Sequence, residues 1–572
     1  MNALRPRHAV WLAAALLLPT LGLRSLWPPD ETRYADVARG MRAHGDYVVP
    51  RLDGELYGEK PPVFFWAIAA ANAAGVPLGA APRLVSIASG IATVALVPRI
   101  AGALGLAAPI GARAALILAT TPLLLVYAQL GLLDAASTFL VTFAIAAKLA
   151  RAGGRSAHRV GLAVLEGLLL GAALLTKGPV LLLFPVGLRV GAALARGGGV
   201  RPGRPDASDL ASLGVALAVA VAWLGAAASS AGADYASSIT LGQAARRMAG
   251  DAPHLRPPGF LLAVTALGFL PWTLFGVDRM VRAAVDGWRR SGWRPSEWRE
   301  TDAGTGALLG WLFLPLAFLS LLATQQPHYV LPGLPAAALL VARALDAAPT
   351  WIRRSLAGLG VALSAGLLAA ALGADAVFAT GPPPQPATQA ALADLTLRGI
   401  AACAGGALLA LSLRRLPAGA RLWRRAAAGS AVAFAAAVLL VWRIDRYIAP
   451  WALLGDPRLA AAPRLAADGS LRTSLRVATG RDDVLPLGRS FARQLAADPG
   501  LVAVVRERDL ARAEIGAVEI EVLARGFSRG HVALAVRARP ESVASDSSAV
   551  SAGESGSAPR PEPQPTRPPA SP

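Results

Sequence analysis

Residues 30–66 read DETRYADVARGMRAHGDYVVPRLDGELYGEKPPVFFW. The stretch follows an apolar run, Val10 to Trp27, and holds seven carboxylates: Asp30, Glu31, Asp36, Asp46, Asp53, Glu55 and Glu59. Only 16% of the 572-residue chain is charged, 54% is hydrophobic, and the mean hydropathy is +0.48. A soluble globular chain carries about 25% charged residues. So much charge in one loop of a chain this apolar marks a place where chemistry is done.

Working outward from that loop, repeated apolar runs of about 20 residues make this a polytopic membrane protein. The first run has no small-residue cleavage site before the acidic loop and reads as a retained span. The candidate spans are roughly 8–27, 83–103, 112–131, 134–150, 160–175, 179–195, 209–228, 259–278, 305–323, 329–345, 355–376, 395–413 and 425–443. The net charge of +20 fits basic residues gathering in cytoplasmic loops, and nucleic acid is not expected as a partner. Cys403 is the one cysteine, which excludes an intrachain disulfide and a Cys-cluster metal site. Three lysines, Lys60, Lys148 and Lys177, stand against 53 arginines. They are either chance survivors or sites that want a compact, strongly hydrated charge.

The apolar stretch 61–77 decides the topology. It opens on Pro61-Pro62, which suits a helix start, and it is short for a span. If it stays out of the bilayer, 26 basic residues fall in loops on the N-terminal side of the membrane. If it crossed, that segregation would invert from the second loop onward. It is therefore read as a helix lying in the outer interface. The expected fold is all-α and polytopic, with about 13 transmembrane helices. The N-terminus lies in the cytoplasm and a small C-terminal α/β domain lies outside the cytoplasmic membrane. The membrane domain is 1–443, with 28–82 as the first outer loop and its interfacial helices. Residues 444–540 form the α/β domain, with a helix at Leu487–Ala497 and strands at Leu501–Arg506, Glu519–Leu523 and His531–Arg537. The tail 541–572, rich in Ser, Pro, Ala and Glu, is expected to be disordered.

This topology gathers the polar clusters on one face. Asp30-Glu31 can serve as general base, as metal ligand, or as first-turn acids of the amphipathic helix that follows. Asp134 is either a helix N-cap or a second carboxylate facing the first across a cavity. Glu59-Lys60-Pro61-Pro62 is a helix start beside a lysine, and so an anion site or a headgroup anchor. Tyr57 stands close by as a hydroxyl donor. Lys177, in Thr-Lys-Gly-Pro, either snorkels to headgroups or contributes to a phosphate site. His254 sits in a loop with Arg246, Arg247 and Arg256; it is either a lone loop histidine that ligates nothing or, with Glu59, part of a hard-cation or zinc site. Tyr329 is a belt residue or a phosphate contact.

The run from Asp30 to Pro62 resembles the first outer loop of GT-C membrane glycosyltransferases, in the group of lipid A aminoarabinose transferases and protein mannosyltransferase-like enzymes. GLLDAASTFL, LLTKGPVLLLFP, APHLRPPGF, FLPW and QQPHYVLPGLPA match further on, in order. The resemblance implies a GT-C fold. It also implies transfer of a sugar from a polyprenyl-phosphate (undecaprenyl-phosphate-type) donor to an envelope acceptor at the outer face of the membrane, with inversion. The acceptor is a lipid A-like glycolipid, a polysaccharide or a protein. Asp30 matches the catalytic base and Asp134 the second carboxylate. Glu59 and His254 match positions associated with a divalent metal ion. Lys60 and Tyr329 match residues near the carrier phosphate, and Tyr57 and Arg247 match site-lining positions. Where relatives often carry a basic residue near 325–328, this chain has Gln325-Gln326. There is no Gly-rich phosphate loop, and no nucleotide is expected. The alternative class is a lipid or sugar transporter or flippase, which needs charges or broken helices near the midplane.

Overall fold

The computed structural model describes residues 4–539 apart from 154–155, 196–205, 240–255, 258, 292–301, 323, 344, 346–348, 373–390, 392–393, 414–421, 449, 488–490, 511–518 and 529–530. The chain opens with α1 (Pro6–Leu17), which tightens into a 3-10 turn at Leu18–Gly22. The acidic stretch then becomes α2 (Asp30–His44). Asp30 and Glu31 occupy its first turn and Arg42 and His44 its last, the arrangement favoured by the helix dipole. Gly45 ends it in the left-handed region at φ 71°. A hairpin follows, β1 (Arg51–Leu52) and β2 (Glu55–Leu56), closed by Asp53-Gly54 with both residues at positive φ. That is the geometry an Asp-Gly pair supplies.

The stretch 61–77 holds α3 (Val63–Ala73), 11 residues long. At 1.5 Å per residue it is about 16 Å, roughly half the hydrocarbon thickness. It packs against α2 instead of running alone: the Tyr34 ring meets Phe64 at 5.8 Å and Phe65 at 5.6 Å, and Tyr57 meets Phe65 at 5.9 Å.

The bundle continues through α4 (Ala81–Ala103), α5 (Ala108–Ala119), α6 (Pro122–Gln129), α7 (Leu133–Gly153), α8 (Ser156–Lys177), α9 (Leu183–Leu194) and α10 (Ala207–Ala231). Among the described residues seven helices are long and apolar enough to cross a bilayer, or nine if each bent pair is one span. Three further expected spans are shorter apolar helices: Pro179–Leu194, Pro327–Ala342 and Thr396–Ser412. Within the described residues the expected spans fall mainly on helix, but the first ends its α-helix at Leu17 and several others are bent or short, so the described helices do not amount to thirteen full-length crossings. The interruptions fall at prolines. α5 and α6 meet at 58° where Pro122 starts the second helix, and Phe260–Gly268 and Trp272–Arg282 meet at 113° around Pro271. Proline lacks the N–H that a continuous helix needs.

Close packing is made by small residues. α9 crosses the helix Ala303–Ser320 where Gly187 and Gly191 face Gly306 and Gly310, and a Cβ at Gly191 would collide with the Gly306 carbonyl oxygen. At the far end of α7, Arg151 and Lys148 meet Asp209 of α10, each at 2.6 Å, and Arg151 also meets Glu166 of α8 at 2.7 Å. This closes α7, α8 and α10 into one unit.

The C-terminal region carries a five-stranded sheet in the order β4-β3-β5-β7-β6. Its strands are β3 (Arg464–Ala467), β4 (Leu485–Pro486), β5 (Leu501–Arg506), β6 (Ile520–Ser528) and β7 (His531–Ala538). β3 runs parallel to β4 and β5, and β7 runs antiparallel to β5 and β6. β5 is apolar from Leu501 to Val505 because both faces are covered. Val502 and Val504 point to one core, and Leu501, Ala503 and Val505 point to another. The strands expected at 501–506, 519–523 and 531–537 are present, and the expected helix 487–497 is seen at Phe491–Ala497. β3, β4 and the helix Gly469–Thr479 were not foreseen. The expected disordered tail lies outside the described residues.

Candidate active site

α7 and α8 are consecutive and joined by a short connection, so they run antiparallel. The start of α7 therefore lies beside the end of α8. Asp134 is in the first turn of α7 and Lys177 is the last residue of α8. Both charges suit the dipoles of their own helices. They meet: Lys177 Nζ is 2.5 Å from Asp134 Oδ1, and the two side chains are 11% and 5% exposed.

The segment Pro327–Gly333 packs over the same corner. It brings His328 Nε2 to 3.7 Å from Asp134 Oδ1. The Lys177 ammonium stands 5.0 Å from the centre of the Tyr329 ring, in cation–π range. Tyr127 and Tyr329 flank the His328 ring edge-on at 5.6 and 5.0 Å.

The first loop supplies the other wall. Asp30 opens α2 with its side chain 53% exposed, 3.7 Å from Arg33. Arg33 also pairs with Glu59 at 3.0 Å, which joins α2 to the Glu59-Lys60 corner. The Tyr57 hydroxyl donates to Glu59 at 3.3 Å. Burial pushes that hydroxyl well above its ordinary range, and Glu59 adds to the effect, so Tyr57 stays a protonated donor. Burial also raises Tyr34, with contributions from Tyr57 and from the carboxylates of Asp30 and Asp134. The two walls thus act on one buried phenol. Lys60 is partly buried and acts electrostatically on Asp134.

Glu31, next to Asp30, does something different. Its buried carboxylate accepts two N–H bonds from Arg24, at 2.6 and 2.5 Å, another from Trp27 N–H at 2.6 Å, and one from Gly131 N–H. Burial pushes this carboxyl up, and Arg24 with the backbone bonds more than offsets that, leaving it below the usual carboxylate range. It is an internal tie, not a reacting group.

The structure therefore gathers Asp134, Lys177 and Tyr329 in one cluster, and Asp30, Tyr57 and Glu59 in a second, which Arg33 links. Arg247 and His254 lie outside the described residues. Two participants were not singled out from sequence, Arg33 and His328. The signal for His328 was present, since it precedes Tyr329 in the same Gln-Pro-His-Tyr run. The Glu59 carboxylate faces a guanidinium, and no group of three His, Cys, Asp or Glu side chains comes together among the described residues. The described side chains alone do not compose a metal site, and no chemical step is assigned to a metal.

The family model for dolichyl-phosphate-mannose-protein mannosyltransferase matches residues 9–196. The undecaprenyl phosphate-alpha-4-amino-4-deoxy-L-arabinose arabinosyl transferase of Pseudomonas paraeruginosa is 33% identical over 352 residues, 59% of this chain and 60% of that protein. Its counterpart in Yersinia enterocolitica is 29% identical over 360 residues, 61% of this chain and 60% of that protein. The chain spans about 60% of the length of these curated relatives. The crystal structure of ArnT from Cupriavidus metallidurans bound to undecaprenyl phosphate superposes with a TM-score of 0.70 at 22% identity, covering 92% of this chain and 97% of that one. The fold is thus the GT-C fold of polytopic membrane proteins. In sequence the chain is similar to the aminoarabinose transferases over about 60% of its length and to the protein mannosyltransferase family model over residues 9–196.

Proposed function

We propose that this protein is a glycosyltransferase that moves a sugar from a polyprenyl-phosphate carrier to an envelope acceptor at the outer face of the cytoplasmic membrane. The observation that carries the reading is the meeting of Asp134, Lys177, His328 and Tyr329 beside the loop that holds Asp30, Glu59 and Lys60. A lipid-phosphate donor is amphiphilic, and a polar corner at one end of an apolar bundle suits it. The relatives named for an undecaprenyl-phosphate-linked sugar support the same donor class.

In this reading Asp30 takes the proton of the acceptor hydroxyl, whose oxygen attacks the anomeric carbon. The bond from that carbon to the phosphate oxygen breaks, the carrier phosphate leaves with the electron pair, and the configuration inverts. Lys60, with the Tyr57 and Tyr329 hydroxyls, stabilises the charge that grows on the phosphate. Lys177 neutralises Asp134, and Asp134 with His328 shapes the sugar-facing wall. Arg247 and His254 lie outside the described residues; the resemblance assigns Arg247 to the site lining, and makes His254 with Glu59 two of the ligands a divalent ion would need.

The test is transfer of labelled sugar from an undecaprenyl-phosphate donor in proteoliposomes. Asp30→Asn is expected to lower turnover at least about 10²-fold, the scale of general-base catalysis, while the protein still inserts and binds donor. Full turnover in Asp30→Asn removes the base assignment. Donor movement across the bilayer without any transfer would instead mark a transporter.

A further inference from the structure

The C-terminal part of the chain grips the first loop at two separate points. At the first, Asp445 in the last turns of the helix Leu422–Ile448 accepts Ser25 N–H at 2.9 Å, Ser25 Oγ–H at 2.5 Å and the Trp27 indole N–H at 2.6 Å. These residues lead into Asp30. At the second, Arg476 of the helix Gly469–Thr479 is 6% exposed and lies against α2 and the hairpin. Its guanidinium bonds Asp53 in the hairpin turn, bonds Asp482 at 2.9 Å, and stands 3.6 Å from Asp36 of α2. Arg39 of α2 completes the ring, bonding Asp36 at 2.8 Å and Asp482 at 2.6 Å. Arg472 reaches Asp53 at 3.4 Å.

The two grips bracket Asp30. One holds the chain just before it and the other holds α2 two turns after it. α2 has no side-chain N-cap of its own. Asp36 is 2% exposed in the middle of the helix, where a surface charge needs no such enclosure. A rigid helix anchored at Asp36 carries Asp30 about 9 Å from the anchor, so a small rotation there shifts the carboxylate. A misplacement of about 1 Å can cost roughly 10²-fold in rate.

We propose that Arg476 and Asp445 are positioning residues for the site: the C-terminal region clamps the first loop from both sides of Asp30 and sets where its carboxylate stands. This rests on the reading of Asp30 as the base. The full chain is assayed as Arg476→Met, Arg476→Lys and Asp445→Asn, with hydrogen exchange of residues 30–44 followed on the same preparations. Arg476→Met and Asp445→Asn are expected to lower kcat about tenfold, with the donor KM within about twofold, because geometry is lost and binding is not. Exchange over 30–44 rises in both. Arg476→Lys keeps the charge and recovers most of the kcat. If Arg476→Met does not insert, Asp445→Asn carries the test alone. Faster exchange with unchanged kcat overturns the positioning role and leaves a purely structural one. Unchanged exchange overturns the clamp itself. If the wild-type protein transfers no sugar, the functional reading fails, and the exchange data still judge the clamp.

Discussion

The Glu31 carboxylate accepts the backbone N–H of Gly131, and through that bond the start of α2 is tied to the turn before α7. Glu31 is adjacent to Asp30, and Gly131 is three residues before Asp134. Arg24 completes the tie by donating to both Glu31 and the Gln129 carbonyl. The two candidate acids are therefore indexed to each other by one buried ion pair.

Removing one partner of such a pair leaves a buried charge uncompensated. Glu31→Gln is expected to cost about 3–5 kcal/mol of stability, read as a lower thermal midpoint in detergent. The pH dependence has a definite sign. The folded carboxyl sits below its ordinary value of 4.5. Its contribution is thus fully present above that pH and is lost as the pH falls through the lower folded value. Acidification below pH 4.5 should therefore lower the wild-type midpoint by more than that of Glu31→Gln. Parallel curves would show that Glu31 is not a paired carboxylate.

Asp134 and Lys177 should behave as one unit. Asp134→Asn strands a buried ammonium, and Lys177→Met strands a buried carboxylate. The double variant should lose less stability than the sum of the singles, by about 0.5–3 kcal/mol. Thermal unfolding of the four proteins measures the coupling, and strict additivity would mean that the pair is not formed.

His328 was found by the structure alone. His328→Gln keeps a polar side chain of similar reach but changes the group facing Asp134. It is expected to lower kcat about 10-fold to 10²-fold, at the lower end of acid–base and orienting effects. Initial rates at saturating donor decide this, and a wild-type kcat would place His328 outside the site.

The glycine crossing gives a prediction about the scaffold. Gly191→Ala puts a methyl group into the Gly306 carbonyl and should destabilise by about 1–3 kcal/mol. Gly358, in the helix Thr350–Leu372, has nothing within 4 Å of an added Cβ, and Gly358→Ala should be neutral or mildly stabilising. Equal midpoints for the two variants would argue against the close approach of α9 and the helix 303–320.

Much of this was legible because the signals were long and local. Apolar runs marked the helices, and the charge segregation kept 61–77 out of the count, where α3 proves too short to span a bilayer. Breaks within runs were less visible. Pro122 and Pro271 were present in the sequence, but composition averaged over a window hides a bend. The Asp53-Gly54 pair announced a hairpin that went unread amid the loop's charges. Glu31 could not be told from Asp30, because which acid is buried depends on Arg24 and Gly131, and the Gly131 bond is made across 100 residues of chain. For the same reason the sequence leaves Lys177 open between a headgroup anchor and a phosphate contact and does not show its carboxylate partner. Its partner Asp134 is 43 residues away and is reached only because α7 and α8 fold back on each other.

The scarcity of lysine has a practical consequence for labelling. Lys148 and Lys177 are 4% and 11% exposed and each is held by a carboxylate, while Lys60, beside Glu59, is partly exposed. An amine-acylating reagent therefore finds one lysine side chain it can readily reach. Modification at Lys60, and its protection by a lipid phosphate, would report on occupancy of the proposed site without any engineered tag.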